Sequence, residues 1–516
     1  MTTDTRSRRA VLRAAAKGFR ADPTVPGRGR PVPPGRSVTG RPGPDLVSRD
    51  PAWHVLRRCT YGPTPDSLAE IRTIGVDAWF ARQLAPASID DSACDRIVAR
   101  FPRLRMDSAT LRAGALEQYS WDVMYELGQA TIARAAWSRR QVFEIMVDFW
   151  SNHLNVTNPF EGAWDTRHLY DRDVIRRHTF GRFADMLKAA ARHPSMLGYL
   201  DNQSSTSEHP NENYARELME LHTVGVDAGY TEEEVRAAAR LLTGLSIDWD
   251  TGLYRYDPEI HATGPVSVLG FTHPNGDPDG EAVAMAFLDH LALHPATARH
   301  IAVKLCLRFV ADEPPPALVA RLATVYLRNR SAIVPVLAEL FASPEFRGAA
   351  GAKVRRPMQD IVATVRALGL GPDVRGTQGL ENLYWMVDGT GDAPMGWHPP
   401  NGYPDVAVAW ASAAGTLARW NAHLSLAANW WPDSLTRPAD LRKYLVPVLP
   451  RTYGALVDAL ALRLGGVTMR PAHTAGITRY LDRTPSSRLY ADDDALGWRF
   501  PYLVALVLDS PYFSFR

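Results

Sequence analysis

Cysteine is nearly absent from this chain: three in 516 residues, Cys59, Cys94 and Cys306, far apart and without CxxC spacing. That excludes a disulfide framework and a cysteine-rich zinc site, and it reads the three thiols as small buried apolar groups. No apolar run approaches the roughly eighteen uncharged residues that a membrane span needs, so none is expected. HExxH, GxSxG, a Walker A loop, a dinucleotide fingerprint and CxxCH are all missing, which leaves the familiar hydrolase, kinase and dehydrogenase routes without support. "GTGDAPMG" is glycine-rich but follows no strand and precedes no clear helix, so it is not read as a nucleotide loop.

What is present is an ordinary globular composition, 46% apolar and 22% charged, with a net charge of +2 that hides an asymmetry. Residues 1–43 carry ten Lys/Arg against Asp4 and Asp22, a balance of +8, so the remaining 48 basic and 54 acidic side chains leave the body at −6. A mildly acidic body argues against nucleic acid as a partner. The leader, residues 1–45, ends in "PTVPGRGRPVPPGRSVTGRPGP", a composition that cannot bury a core. Before it, "RSRRAVLRAAAKGF" resembles a twin-arginine export signal, but Arg13, Lys17 and Arg20 interrupt the apolar segment such a signal needs. Cytoplasmic residence is the expectation, with twin-arginine export the alternative.

From Asp50 the apolar spacing is helical, and an all-α body is expected. "SLAEIRTIGVDAWFARQL" reads as helix, with Ser67 as cap and Gly75 as break. "SATLRAGALEQYSWDVMYELGQATIARAAWSRRQVFEIMVDFWSNHLN" reads as one very long helix or two in tandem with a buried middle. Further helices are placed at Val174–Arg192, Asn211–Val224, Glu232–Thr243, Glu281–Leu293, Ala296–Val310, Pro316–Asn329, Ala332–Ala342 and Val354–Ala367. The one credible β-ribbon lies near 246–278. The segments are thus 46–245, a helical part with a polar cluster; 246–280, an extended or β insertion; and 281–516, a second helical part.

The polar cluster is "PNENYARELMELHTVGVDAGYT", Pro210 to Thr231. On an α-helix Asn213, Glu217, Glu220 and Val224 share one stripe, and His222 points to the opposite side, where it needs a different partner. Asn211 or Ser207 can cap the helix and Gly225 can close it. Arg216, four residues after Glu212, suits an ordinary surface ion pair. Asp201, Asn202 and Asn211 add oxygen donors from the preceding loop. Calcium, magnesium or a transition metal is therefore expected on Asp201, Asn211, Asn213, Glu217 and Glu220. A charged helix stripe is otherwise simply a solvated face. Thr231 and Glu234 form a capping box for the next helix. Other candidates are His153 at the end of "VDFWSNHLNV", His261 in "DPEIHATG", and the aromatic loop "MGWHPPNGYPDVAVAWASAAGTLARWN"; each has a packing role as its plain reading.

"LRRCTYGPTPDSL", "FWSNHLNV", "MLGYLDNQSS", "NENYARELMELHTVGVDAGYTEEEVRAAARLLTG", "HPATARHIAVKL", "SPEF" and "GYPDVAVAWASAAGTLARWN", in this order, resemble the bacterial family called domain of unknown function 1800. The resemblance implies a large α-helical domain, often exported and often encoded beside a sulfatase-like protein, and it supplies no activity. Its recurrent polar positions fall on Trp150, His153, Asp201, Asn202, Asn211, Glu212, Asn213, Arg216, Glu217, Glu220, His222, His261, Arg419 and Asn421. The sequence departs from the family at Ala262, where an acidic residue commonly follows the histidine, and this weakens His261.

The functional expectation is an enzyme acting on a small molecule, hydrolytic or tailoring a biosynthetic product, with a pocket built by the Asp201–His222 segment and the helix end at His153. Glu217 and Glu220 would be metal ligands or acid/base groups, His153 or His222 a base or ligand, and Arg216 an anchor for an anionic group. The alternatives are a helical scaffold that docks a sulfatase-like partner, and a haem protein ligated through His153.

Overall fold

The computed structural model describes residues 46–115, 119–248 and 250–516; the basic leader lies outside them. Helix dominates, and the strands form three short antiparallel pairs. Two of these, Leu245–Ile247 with Tyr254–Tyr256 and Val266–Val268 with Phe271–His273, make up the expected β insertion. The third, Gly371–Asp373 with Leu435–Thr436, is two or three residues long and left no periodic trace in the sequence.

Local chemistry explains most boundaries. Thr64, not Ser67, caps the Pro65–Ile74 helix; Ser67 is its reciprocal partner in a capping box, and Gly75, at φ +85°, closes the last turn on the Ile71 carbonyl. The one long helix, or two in tandem, expected over Ser108–Asn155 is instead three: Ser108–Gly114, Asp122–Trp137 and Gln141–His153. The last break falls at "SRR", where the Ser138 hydroxyl donates to Asp91 and Gln141 Nε2 donates to the Ala135 and Ser138 carbonyls. The Asp122–Trp137 helix is buried on several faces, as its all-round apolarity implies.

One apolar cluster runs from Ala52 to Phe513, so helices from the two ends of the chain share a core. The first helix, Pro51–Cys59, pins that arrangement. Arg57, fully buried, donates to the carbonyls of Gly465, Tyr512 and Phe513, and Arg58 to those of Phe309, Val310, Ala349 and Arg516. Guanidinium groups here saturate helix-end carbonyls that would otherwise be buried without donors.

Candidate functional site

Three elements meet around His153. The first is the Gln141–His153 helix, whose end "WSNHLN" carries asparagines on both sides of the histidine. Asn152 clamps a distant loop by a reciprocal pair: its Nδ2 donates to the Tyr403 carbonyl at 2.8 Å, and its Oδ1 accepts from the Tyr403 N–H at 2.6 Å. Asn155 Nδ2 donates to the Trp397 and Pro399 carbonyls, both at 2.9 Å. That loop, 394–406, is the second element. Gly402 sits at φ +71°, and a Cβ there would stand 2.1 Å from the Asn152 carbonyl oxygen, so only glycine lets the loop lie this close.

The third element is the Pro295–Phe309 helix. His300, Lys304 and Arg308 recur every four residues and so share one face. Lys304 Nζ donates to His153 Nδ1 at 3.1 Å, and His153 Nε2 donates to the His222 carbonyl at 3.0 Å, which assigns the proton of neutral His153 to Nε2. His300 Nδ1 donates to the Thr223 carbonyl at 2.9 Å. Arg308 bridges Asp148, at 2.5 Å, to Asp405, at 3.2 Å, and joins the helix of His153 to the loop. Arg356 pairs with Asp392 at 3.0 Å and lies over the Tyr403 ring.

The electrostatics split sharply between these neighbours. Burial, reinforced by the nearby Lys304 charge, holds His153 well below the usual imidazole range and takes His222 down to about 3; the same two causes take His300 to about 4. All three are neutral at physiological pH. Burial likewise lowers Lys304 from 10.5 to about 8, with no carboxylate to counter it. Among the described lysines Lys304 alone makes no ion pair: Lys188 sits on Asp289, Lys353 on Asp312 and Lys443 on Asp440. Burial works against the Asp405 charge too, yet Lys353 and Arg308 outweigh it and hold the carboxyl below its ordinary range.

Two pockets open on this group. One, of about 350 Å³, lies between Phe149, Leu307, Trp397 and Tyr403; the other, of about 510 Å³, lies between Leu221, Val224, Val303 and Glu220. Both are of ligand size. Lys304 and Asn401 line both, so the two pockets share these side chains in their walls.

The expected site residues divide. His153 and His222 come together, ring centroids 6.4 Å apart, because the helix that begins at Glu212 changes to a π-helical turn over Leu218–His222. The wider turn carries His222 inward with Leu218 and Met219, and the Gly225 N–H closes on the Met219 carbonyl. Glu220 lines the larger pocket and accepts from the Tyr230 hydroxyl. Glu217 is half-buried; burial first, and then Glu220, raise its pKa. Arg216 grips Glu232 in two bonds of 2.9 and 2.6 Å, not Glu212, so it is a surface tie to the next helix, whose Thr231–Glu234 capping box forms as expected. Asn211 is the helix cap: its Oδ1 accepts from Tyr214 N and its Nδ2 donates to the Leu200 carbonyl, which commits both ends of the amide. Asp201, at φ 58°, and Asn213 are exposed. Among the described residues no group of three or more His, Cys, Asp or Glu side chains is placed to hold a metal ion. Both ring nitrogens of His153 are engaged, which leaves neither turned to a haem iron. His261 bonds Thr243 and Asn275 and fastens the β insertion, and Arg419 approaches Asp360 at 3.7 Å within a separate network around His423.

Sequence reasoning missed His300, Lys304, Arg308 and Asp405. Its signal was available in "HIAVKLCLR", a polar residue at every fourth position of an otherwise apolar helix.

A predominantly helical protein with a histidine–lysine group, partly buried, in the walls of two ligand-sized pockets is the class that fold and site define. A family model described as a protein of unknown function, DUF1800, matches residues 54–515, and the chain belongs to that family. No curated protein and no solved structure matches the chain.

Proposed function

We propose that the chain is an enzyme acting on a small carbonyl compound, with the Lys304 amine as its reactive group. The observation that supports this reading best is the placement of Lys304: half-buried, without an ion-pair partner, against the lone pair of a neutral histidine and at the wall of two pockets. A lysine lowered to about 8 is a free amine in a substantial fraction of molecules near neutral pH, and desolvated lysines of this kind are nucleophiles toward carbonyl carbon. The nitrogen lone pair forms the C–N bond, both amine protons pass to the carbonyl oxygen, and that oxygen departs as water to leave an imine. His153 touches the amine and no more; it positions Nζ by accepting its hydrogen bond, and its depressed basicity keeps it from taking the proton.

The chain holds five lysines, Lys17, Lys188, Lys304, Lys353 and Lys443, which makes the test simple. Benzaldehyde with sodium cyanoborohydride at pH 7.5, followed by peptide mass spectrometry, should benzylate Lys304 ahead of the others, and Lys304→Arg should abolish that adduct. Equal or preferential modification of Lys188 or Lys443 would overturn the reading.

A further inference from the structure

We infer that the substrate of the Lys304 site is an elongated ketone that spans both pockets, with its carbonyl in the middle of the chain and an aromatic or cyclic group at one end. The inference rests on the proposed role of the Lys304 amine and adds the shape and chemistry of what reaches it. Its basis is that Lys304 is not confined to one pocket. Lys304 and Asn401 are common to both, so a molecule bound at the amine is offered space on two sides.

The two sides differ in chemistry. The smaller pocket is walled by rings: Trp397 and Tyr403 have centroids 5.1 Å apart, and Phe149 faces them from the His153 helix. Apart from Lys304, its charged members are already neutralised, Arg308 by Asp148 and Asp405, and Arg356 by Asp392. Flat apolar groups gain most in such a slot, because ring faces bury large area with few internal rotations to freeze. The larger pocket is lined by the apolar Leu221, Val224 and Val303, and its Asp227 and Arg299 are exposed. An alkyl segment fits its walls, and a polar terminus is tolerated at its rim. A carbonyl at the end of a molecule would use one compartment; a carbonyl within the chain uses both. Each methylene buried in the second pocket strengthens binding by about 0.8 kcal/mol, roughly fourfold, so four extra methylenes carry roughly a hundredfold or more if all are buried.

The experiment compares 4-phenyl-2-butanone, which fills the ring-walled pocket alone, with 1-phenyl-3-octanone, which carries the same phenethyl ketone and four more methylenes. Two readouts are taken on the full chain: cyanoborohydride trapping on Lys304, and thermal shift without reductant. The longer ketone is expected to half-saturate both at a concentration at least tenfold lower. Val303→Trp, and independently the more exposed Val226→Trp, should remove that advantage and leave the short ketone unaffected. Equal potency of the two ketones, or an advantage that survives both tryptophans, overturns the two-pocket inference while leaving the amine reading intact. A longer ketone that binds with the expected preference but is never trapped sinks the amine reading and leaves the two-pocket geometry standing. If neither ketone binds, both are overturned.

Discussion

Replacing Lys304 by methionine should make the protein more stable at neutral pH. Lowering the lysine from its ordinary 10.5 to about 8 means that the charged form is disfavoured in the fold by about 3 kcal/mol, at 1.36 kcal/mol per pH unit. Solvent reaches the amine through the two pockets, which reduces the recoverable part to about 2 kcal/mol. Methionine has nearly the same length and no charge, but it leaves His153 Nδ1 without its donor, a loss of about 1 kcal/mol. The net expectation is a gain of about 1 kcal/mol at pH 7. The sign of the pH dependence follows from proton counting. Between pH 8 and 10.5 the unfolded chain holds a proton on this lysine that the folded chain has released, so wild-type stability rises with pH across that window. Lys304→Met lacks that rise, and its advantage should vanish by pH 10.5. Urea midpoints at pH 7 and pH 10.5 measure both statements. A variant less stable than wild type at pH 7 by more than about 1 kcal/mol would refute the reasoning, because it would mean that the fold supplies the ammonium with a partner that outweighs its burial.

Gly402→Ala should cost about 1–3 kcal/mol, through the left-handed backbone and the approach to the Asn152 carbonyl, and should release loop 394–406, so that limited proteolysis cuts there first. Asn152→Ala, which removes both bonds of the clamp, should cost about 2 kcal/mol by denaturation and weaken selective labelling of Lys304. His423 behaves oppositely to Lys304: burial opposes its charge, but Asp360 and Asp509 outweigh it and raise it to about 9, so the stability it contributes is present below pH 6.5 and lost as pH rises through about 9. His423→Gln should therefore destabilise by about 3 kcal/mol at pH 6, where it strands the buried Asp360, and by less at pH 10. Arg216→Ala breaks an exposed pair with Glu232 and should change stability by less than about 1 kcal/mol and leave Lys304 labelling as it was.

Periodicity made the helices legible. Glu281–Ala292, Pro295–Phe309 and Pro316–Arg328 lie within a residue of the expected bounds, since each carries an apolar face bounded by proline or a polar turn. Where a side chain intervened, the reading slipped: Ser138 and Gln141 break a helix that spacing alone continues. The candidate site was half legible. His153 and the need of His222 for a partner away from Glu217 could be read, but the ring His222 meets is His153, 69 residues earlier, and the amine that bonds His153 lies 151 residues after it; nothing local announces contacts of that range. The aromatic loop and the His153 helix end were each singled out, while the Asn152 and Asn155 bonds that join them are visible only in three dimensions. The carboxylates drew attention because charge on a helix is conspicuous; Lys304 did not, because one lysine in an apolar run looks like a solvated tip.

The central claim is that Lys304 is an amine without a countercharge, and its own titration tests that most directly. Competitive labelling with trace acetic anhydride between pH 6 and 11, read peptide by peptide, reports the pH at which each lysine becomes a nucleophile. An inflection for Lys304 at about 8 is the predicted result; an inflection at 10.5, the ordinary lysine value, would contradict the account.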